Sequence, residues 1–110
     1  MTSQAPPVGR MKTRKGVVVS QREIASFCRR FNIRLLAIVH EVDALSIGSR
    51  DWDMLVEFEA GIVPSRFELV AMEVELGGMA ERRVDLRTLR ELRSTTSRKL
   101  LDAAVPVFIA

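Results

Sequence analysis

One short segment limits the folds that this chain can adopt more than any other. It is the nearly unbroken apolar run Ile33-Arg34-Leu35-Leu36-Ala37-Ile38-Val39. A run of this length is typical of a strand that is covered on both faces. The chain has 110 residues, and separate cores usually need on the order of 100 residues each, so we expect one domain. The run therefore predicts the central strand of one small sheet.

The sequence around this run predicts a helix before it and a second strand after it. Ser20 and Glu23 have the spacing of a capping box, and apolar residues then recur at helical intervals, which predicts a helix over about 21–31. Residues 41–50 show no sustained period and predict a loop. This loop leads into a second predicted strand over 51–58.

The second half of the chain predicts a long helix and several shorter elements. We expect Phe67, Met72 and Leu76 to be core residues of this helix, and Gly77-Gly78 to stop it. The later elements are a strand at 82–86, one or two short helices and the apolar ending 105–109. This order predicts an α/β (α+β) fold, with a small mixed β-sheet flanked by helices.

Positive charge is concentrated at the amino terminus, where residues 1–22 carry +5 while the remainder carries −2. Residues 1–16 combine proline and glycine with basic side chains and have no period. We therefore predict a flexible basic N-terminal segment over 1–16 and a domain over 17–110. No aromatic residue interleaves the basic ones, so the pattern favours a solvated tail over a nucleic-acid partner. The alternative is that the segment is a nucleic-acid tether. It predicts an affinity for nucleic acid that falls steeply as the salt concentration rises.

Several classes of protein are excluded by what the sequence lacks. No apolar run approaches the roughly 18 residues of a membrane span, and no secretory-type apolar block follows the first basic residues, so we expect a cytoplasmic protein without a membrane partner. The single cysteine, Cys28, and the single histidine, His40, cannot form a Cys/His zinc site. We expect Cys28 in the core and His40 in a loop, so any metal must be held mainly by carboxylates.

Three acids could form a metal site. Side chains alternate along a strand, so Asp51 and Asp53 should point to one face of the sheet while Trp52 points to the other. Two carboxylates in one small volume repel each other unless a cation or a proton intervenes, and Mg²⁺ prefers such oxygen ligands. Asp85, in the later strand, could join them as a third ligand or as a general base. The simpler interpretation is a row of solvated acids.

The segments that contain these aspartates, together with two others, resemble the minimal nucleotidyltransferases of the DNA polymerase beta-like superfamily. The matching segments are Ile33–Ile38, Asp51–Phe58, Met72–Gly77 and Val84–Leu86. The resemblance implies a nucleotidyltransferase-like fold and Mg²⁺-dependent transfer of a nucleotide, usually AMP from ATP, to a hydroxyl acceptor. It also implies that Asp51, Asp53 and Asp85 are the catalytic and metal-binding carboxylates. Small members of this family are often the antitoxins of HEPN-domain ribonuclease toxins.

The sequence departs from this family at the phosphate-binding motif. The family has Phe-Gly-Ser and then Arg-Gly, where this chain has Ile38-Val39-His40 and then Asp43-Ala44. A β-branched residue keeps a phosphate away from the backbone, and an aspartate repels it. We expect triphosphate binding to be weakened, unless Ser49 and Arg50 replace the lost contacts as nucleotide-binding residues.

Two main functional hypotheses follow from the sequence. The first is the antitoxin subunit of a toxin–antitoxin pair, which has a nucleotidyltransferase fold, binds a HEPN-type toxin and has weakened or lost AMP transfer. The second is an active Mg²⁺-dependent nucleotidyltransferase with ATP as donor. Whether the chain forms oligomers stays open.

Overall fold

The computed structural model describes residues 8–13, 15–39 and 52–110. In order along the chain, the elements are α1 (Gln21–Arg30), β1 (Ile33–Val39), β2 (Trp52–Phe58), α2 (Arg66–Ala80), β3 (Val84–Arg87), α3 (Leu89–Thr95), α4 (Arg98–Asp102) and β4 (Val105–Ile109). They form a four-stranded sheet in the order β3-β2-β1-β4. Strand β1 is antiparallel to both β2 and β4, whereas β2 and β3 are parallel. This confirms the predicted α+β fold with a small mixed sheet.

Strand β1 lies inside the sheet, and residues on both of its faces are buried. Leu36 and Ile38 belong to the larger core cluster, which includes residues of α1 and α2. Ala37 and Val39 point to the other face and pack in a second cluster with Leu92 of α3. The prediction of a central strand covered on both sides is confirmed, because alternate side chains of β1 reach two different layers.

Helix α1 begins where the sequence predicts it. The Ser20 hydroxyl accepts a hydrogen bond from the Arg22 backbone N–H at 3.2 Å, which caps the first turn. Ile24, Phe27 and Cys28 are fully buried against the sheet. Burial raises the pKa of the Cys28 thiol to about 12, because the thiolate would have to form in an apolar environment. Cys28 is a core residue, as predicted.

Helix α2 does not stop at Gly77-Gly78, and that prediction is wrong. The helix continues to Ala80 and ends at Glu81, which has a left-handed backbone conformation with φ of 56°. A glycine ends a helix when it takes the left-handed conformation itself, and here Glu81 does so instead. Gly77 instead allows a close approach of the backbone, since a Cβ added to it would lie 2.9 Å from the Arg82 carbonyl oxygen.

Phe67 is not a core residue, contrary to prediction. Met72 and Leu76 are buried as expected, but the side chain of Phe67 is 89% exposed. The buried face of α2 runs through Met72, Leu76 and Ala80, and Phe67 lies on the opposite side of the helix. Both faces of α2 are apolar, so periodicity alone could not identify the face that meets the sheet.

Residues before α1 lie beside β4, an apolar segment for which the sequence predicts no particular secondary structure. The Gly9 N–H donates to the Pro106 carbonyl oxygen at 2.6 Å. Residues 11–13 and 15–19 pair like the two sides of a hairpin, and the Val19 N–H donates to the Met11 carbonyl oxygen at 2.7 Å. Met11 is fully buried in the larger core cluster. The core therefore includes a residue of the segment predicted to be flexible, while the division at residue 16 stays a prediction.

Candidate functional site

Two of the predicted site carboxylates lie next to each other on the sheet. Asp53 of β2 is the register partner of Asp85 of β3, and on its other side Asp53 is paired with Val39 of β1. Register partners point to the same face, and neighbouring strands are about 4.8 Å apart. The three residues therefore form a row across β1, β2 and β3, on the face that α3 partly covers.

Each carboxylate in this row has an arginine nearby. Arg87 Nε lies 3.8 Å from Asp53 Oδ1, and Arg83 Nε lies 3.9 Å from Asp85 Oδ1. Both distances are longer than a hydrogen bond, and the two aspartate side chains are 30% and 31% exposed. Such loose, solvent-exposed pairs are weak, so the carboxylate oxygens remain accessible to a cation and the arginines to an anion.

A residue without a predicted role anchors the strand that carries Asp85. Glu73 Oε2 of α2 accepts a hydrogen bond from the Leu86 backbone N–H at 2.8 Å. Strand β3 is at the edge of the sheet, and this bond attaches it to α2 on the side away from β2. Glu73 sits between apolar neighbours on a helix, which is the signal that could have identified it.

Trp52 points away from the carboxylates, as the strand alternation predicts, and packs against the larger core cluster. The guanidinium of Arg82 lies over its ring, with Cζ 3.8 Å from the ring centroid. Among the described residues no hydrogen-bond partner is present for Arg82 Nε, which is buried. Burial lowers the pKa of the Arg82 guanidinium from its ordinary value. Arg82 therefore contacts the core side of β2 and is not available to the row of carboxylates.

A cleft of about 340 Å³ opens between α2 and β3 beside this row. Its polar wall includes Glu73, Arg83 and Asp85, and its apolar wall includes Val70 and Val74. The cleft therefore places the Asp85 carboxylate and the Arg83 guanidinium at one opening beside α2.

The other predicted site residues lie outside the described residues, namely Ser49, Arg50, Asp51 and the loop residue His40. Within residues 8–13, 15–39 and 52–110, no three His, Cys, Asp or Glu side chains converge on a common point where they could hold a metal ion. Asp53 and Asp85 alone are a pair, and Asp51 is the residue that would complete the predicted set.

The sheet order and the helices define the class of fold, a nucleotidyltransferase-like α+β fold. A crystal structure of the toxin–antitoxin complex MntA-HepT, in which MntA is a minimal nucleotidyltransferase, is similar to this chain with a TM-score of 0.56 and 14% identity. That match covers 82% of this chain and 70% of the other. A mutant of the same complex has a TM-score of 0.59 and 11% identity, over 83% of this chain and 74% of the other.

A crystal structure of the toxin–antitoxin with AMP-PNP is similar as well, with a TM-score of 0.57 and 14% identity, over 83% of this chain and 74% of the other. No family model matches the chain, and no curated protein sequence matches it. At these identities the solved structures establish the fold. None of the described helices is long and apolar enough to cross a membrane.

Proposed function

We propose that this chain is the antitoxin of a HEPN/MNT-type toxin–antitoxin pair in the cytoplasm and that its transfer of AMP is weakened or lost. The fold supports the proposal, because the similar solved structures are toxin–antitoxin complexes of MntA and HepT. In this proposal the main activity of the chain is to bind a HEPN-type toxin.

The observation that carries the proposal is the position of Val39. Val39 is 5% exposed, is paired with Asp53 and packs on the same face of the sheet. The minimal nucleotidyltransferases, which this chain resembles, have a glycine at this position. Because glycine has no side chain, a nucleotide phosphate can approach the backbone there. A buried β-branched side chain at this point occupies that space, so we expect ATP to bind poorly.

The two described carboxylates of the predicted site are suited to binding a divalent cation. Asp53 and Asp85 offer hard oxygen donors on neighbouring strands, and within the described part of the chain neither is held in a close ion pair. In our proposal these two residues, together with Asp51, would hold Mg²⁺. A divalent ion bound there neutralises phosphate charge and polarises phosphoryl oxygens. Arg83 and Arg87 would attract the phosphates of a nucleotide by their charge.

This same pair of carboxylates favours a second candidate function, an active nucleotidyltransferase that uses ATP as donor. In that function Asp85 would also accept the proton of the attacking hydroxyl. Ser49 and Arg50 would hold the phosphates in place of the missing glycine-serine motif. The two candidates differ in whether the chain transfers AMP and in whether binding a HEPN-type toxin is its main activity.

An assay with labelled ATP and Mg²⁺ separates the two candidates, using the chain alone and the chain with a HEPN-type toxin encoded next to it. The antitoxin proposal predicts tight binding of the toxin and label transfer that is at most slightly above that of Asp53→Asn. Many cycles of label transfer per chain, abolished by Asp53→Asn, would establish the enzyme instead. If the toxin does not bind and no label is transferred, both candidates are wrong.

A gain-of-function variant tests the role of Val39 directly. Val39→Gly combined with His40→Ser restores the small residue and the hydroxyl of the family motif. We expect ATP affinity, measured by calorimetry with Mg²⁺ present, to rise at least about tenfold, because phosphate contacts with backbone N–H groups become available. His40→Ser alone is the matched control and should leave the affinity low. Equal affinity in the double variant and this control would contradict the proposed cause.

A further inference from the structure

The outward face of α2 is apolar along most of its length. Phe67, Val70 and Val74 are 89%, 50% and 69% exposed, and Ala71 and Gly78 are exposed between and beyond them. A helix on the surface of a domain normally presents polar residues on the side away from the core. We call the five residues Phe67, Val70, Ala71, Val74 and Gly78 the α2 outer face. Its composition indicates that another surface covers it.

Gly78 adds a second, independent indication. Glycine in a helix costs about 1 kcal/mol relative to alanine. At Gly77 the nearby Arg82 carbonyl oxygen explains the glycine, but a Cβ added to Gly78 would meet nothing within 4 Å. No contact inside the described chain therefore requires a glycine at position 78. A close approach by a group from another molecule would require one.

We infer that the α2 outer face binds a second copy of this chain, with the two α2 helices antiparallel across a twofold axis. An axis between Met72 and Glu73 places Phe67 of one copy opposite Gly78 of the other. The same axis places Ala71 opposite Val74. Phe67 and Val74 then each meet a small residue, and because the contact is repeated by symmetry these positions are complementary to themselves.

The charges at the ends of α2 fit the same arrangement. Arg66 at the first turn and Glu81 just after the last are both exposed. In the antiparallel pair, Arg66 of each copy lies within about one turn of Glu81 of the other, so two pairs of opposite charge form at the rim. Glu68 approaches Glu75 of the other copy, but Glu75 is already in an ion pair with Arg30. That arginine offsets the repulsion.

Sedimentation equilibrium on the purified chain tests the inference without nucleotide or toxin, so its result is independent of the proposed function. The chain has a mass of 12.4 kDa, and we expect the apparent mass to approach twice this value as the concentration rises. A contact made by one pair of helices is small, so the range should extend from about 1 μM to several hundred micromolar. A mass of one chain throughout this range would overturn the inference.

Substitutions identify the surface. Phe67→Glu should weaken self-association at least about tenfold, whereas Val17→Glu, at an exposed valine of the N-terminal hairpin, should leave it unchanged. Gly78→Leu makes the face more apolar but fills the space opposite Phe67, so it should also weaken self-association. Stronger association of Gly78→Leu would contradict the close approach. If the chain is monomeric and Phe67→Glu abolishes toxin binding, the face belongs to the toxin and the inference is wrong.

Cysteine cross-linking tests the register. A mixture of Phe67→Cys chains and Gly78→Cys chains should form a disulfide-linked heterodimer, while neither variant alone should cross-link. The reason is that two copies of residue 67 would lie about 16 Å apart along the helices, beyond the reach of a disulfide. The natural Cys28 is buried and gives no background. Cross-linking of Phe67→Cys alone, or none in the mixture, would overturn the antiparallel pairing.

Discussion

Asp53 and Asp85 are register partners in the parallel pair of β2 and β3, so their carboxylates lie side by side on one face of the sheet. A loop and the whole of α2 separate these residues in the sequence. The crossover through α2 places β3 parallel to β2 and next to it. The adjacency of two acids costs free energy through repulsion. Arg83 and Arg87 are near enough to reduce that repulsion but too far to form hydrogen bonds.

We predict that Asp85→Asn lowers the affinity for Mg²⁺ at least about tenfold, because one of two neighbouring oxygen ligands loses its charge. Isothermal titration with Mg²⁺ measures the change. Glu57→Gln is the matched control, since Glu57 is on the same strand as Asp53 and is in an ion pair with Arg34. Equal affinities for the two variants would argue against a metal site between β2 and β3.

Met11 should contribute strongly to stability although it lies in a basic, glycine-containing part of the sequence. Its side chain is fully buried, so Met11→Ala should lower the free energy of unfolding by about 2–5 kcal/mol. Urea denaturation followed by circular dichroism measures this. Val17→Ala, at a side chain that is 61% exposed, should change stability by less than about 0.5 kcal/mol. A similarly small effect at Met11 would show that this segment does not pack on the core.

The two glycines of α2 should respond in opposite ways to alanine. Gly78→Ala should stabilise the chain by up to about 1 kcal/mol, because the added methyl group meets nothing and alanine favours the helix. Gly77→Ala should be destabilising, because its Cβ would lie 2.9 Å from the Arg82 carbonyl oxygen and the backbone must shift. Thermal unfolding of the dilute protein compares them. The same sign for both would contradict the close approach at Gly77.

Stability at acid pH should depend on Glu68. Glu68 Oε1 accepts a hydrogen bond from the Ser65 backbone N–H at 3.0 Å, and this bond is the main cause that lowers the pKa of Glu68 from its ordinary value of 4.5. A lowered folded-state pKa stabilises the fold above the ordinary pKa, and this contribution is lost as the pH falls through the folded-state pKa. Glu68→Gln keeps a neutral capping box but does not titrate.

The melting temperature of Glu68→Gln should therefore fall less than that of the unsubstituted chain between about pH 7 and about pH 3. Melts followed by circular dichroism give both values. Glu59→Gln, at an exposed residue after β2, should behave like the unsubstituted chain. An identical fall for Glu68→Gln and Glu59→Gln would show that the cap does not contribute to the acid transition.

Local signals in the sequence are sufficient to predict those elements whose signals agree with their environment in the fold. The strand over Ile33–Val39 was predicted at its exact bounds, and the helix after Ser20 ends one residue earlier than predicted. Both signals are local, since an unbroken apolar run suits a covered strand and a hydroxyl suits a helix cap. The strand alternation likewise predicted that Trp52 and Asp53 face opposite layers, as the packing of Trp52 confirms.

Other features depend on contacts between residues far apart in the chain, and these are visible only in the folded protein. Phe67 and Leu76 are both apolar positions of α2, and it is the position of the sheet that buries one and exposes the other. The sequence predicts Gly77 as a helix stop, but in the structure Gly77 lies inside α2 and the carbonyl of Arg82 packs against it. Asp53 and Asp85 become neighbours through strand pairing, which no local pattern encodes, because the hydrogen bonds that set the register join residues more than thirty positions apart.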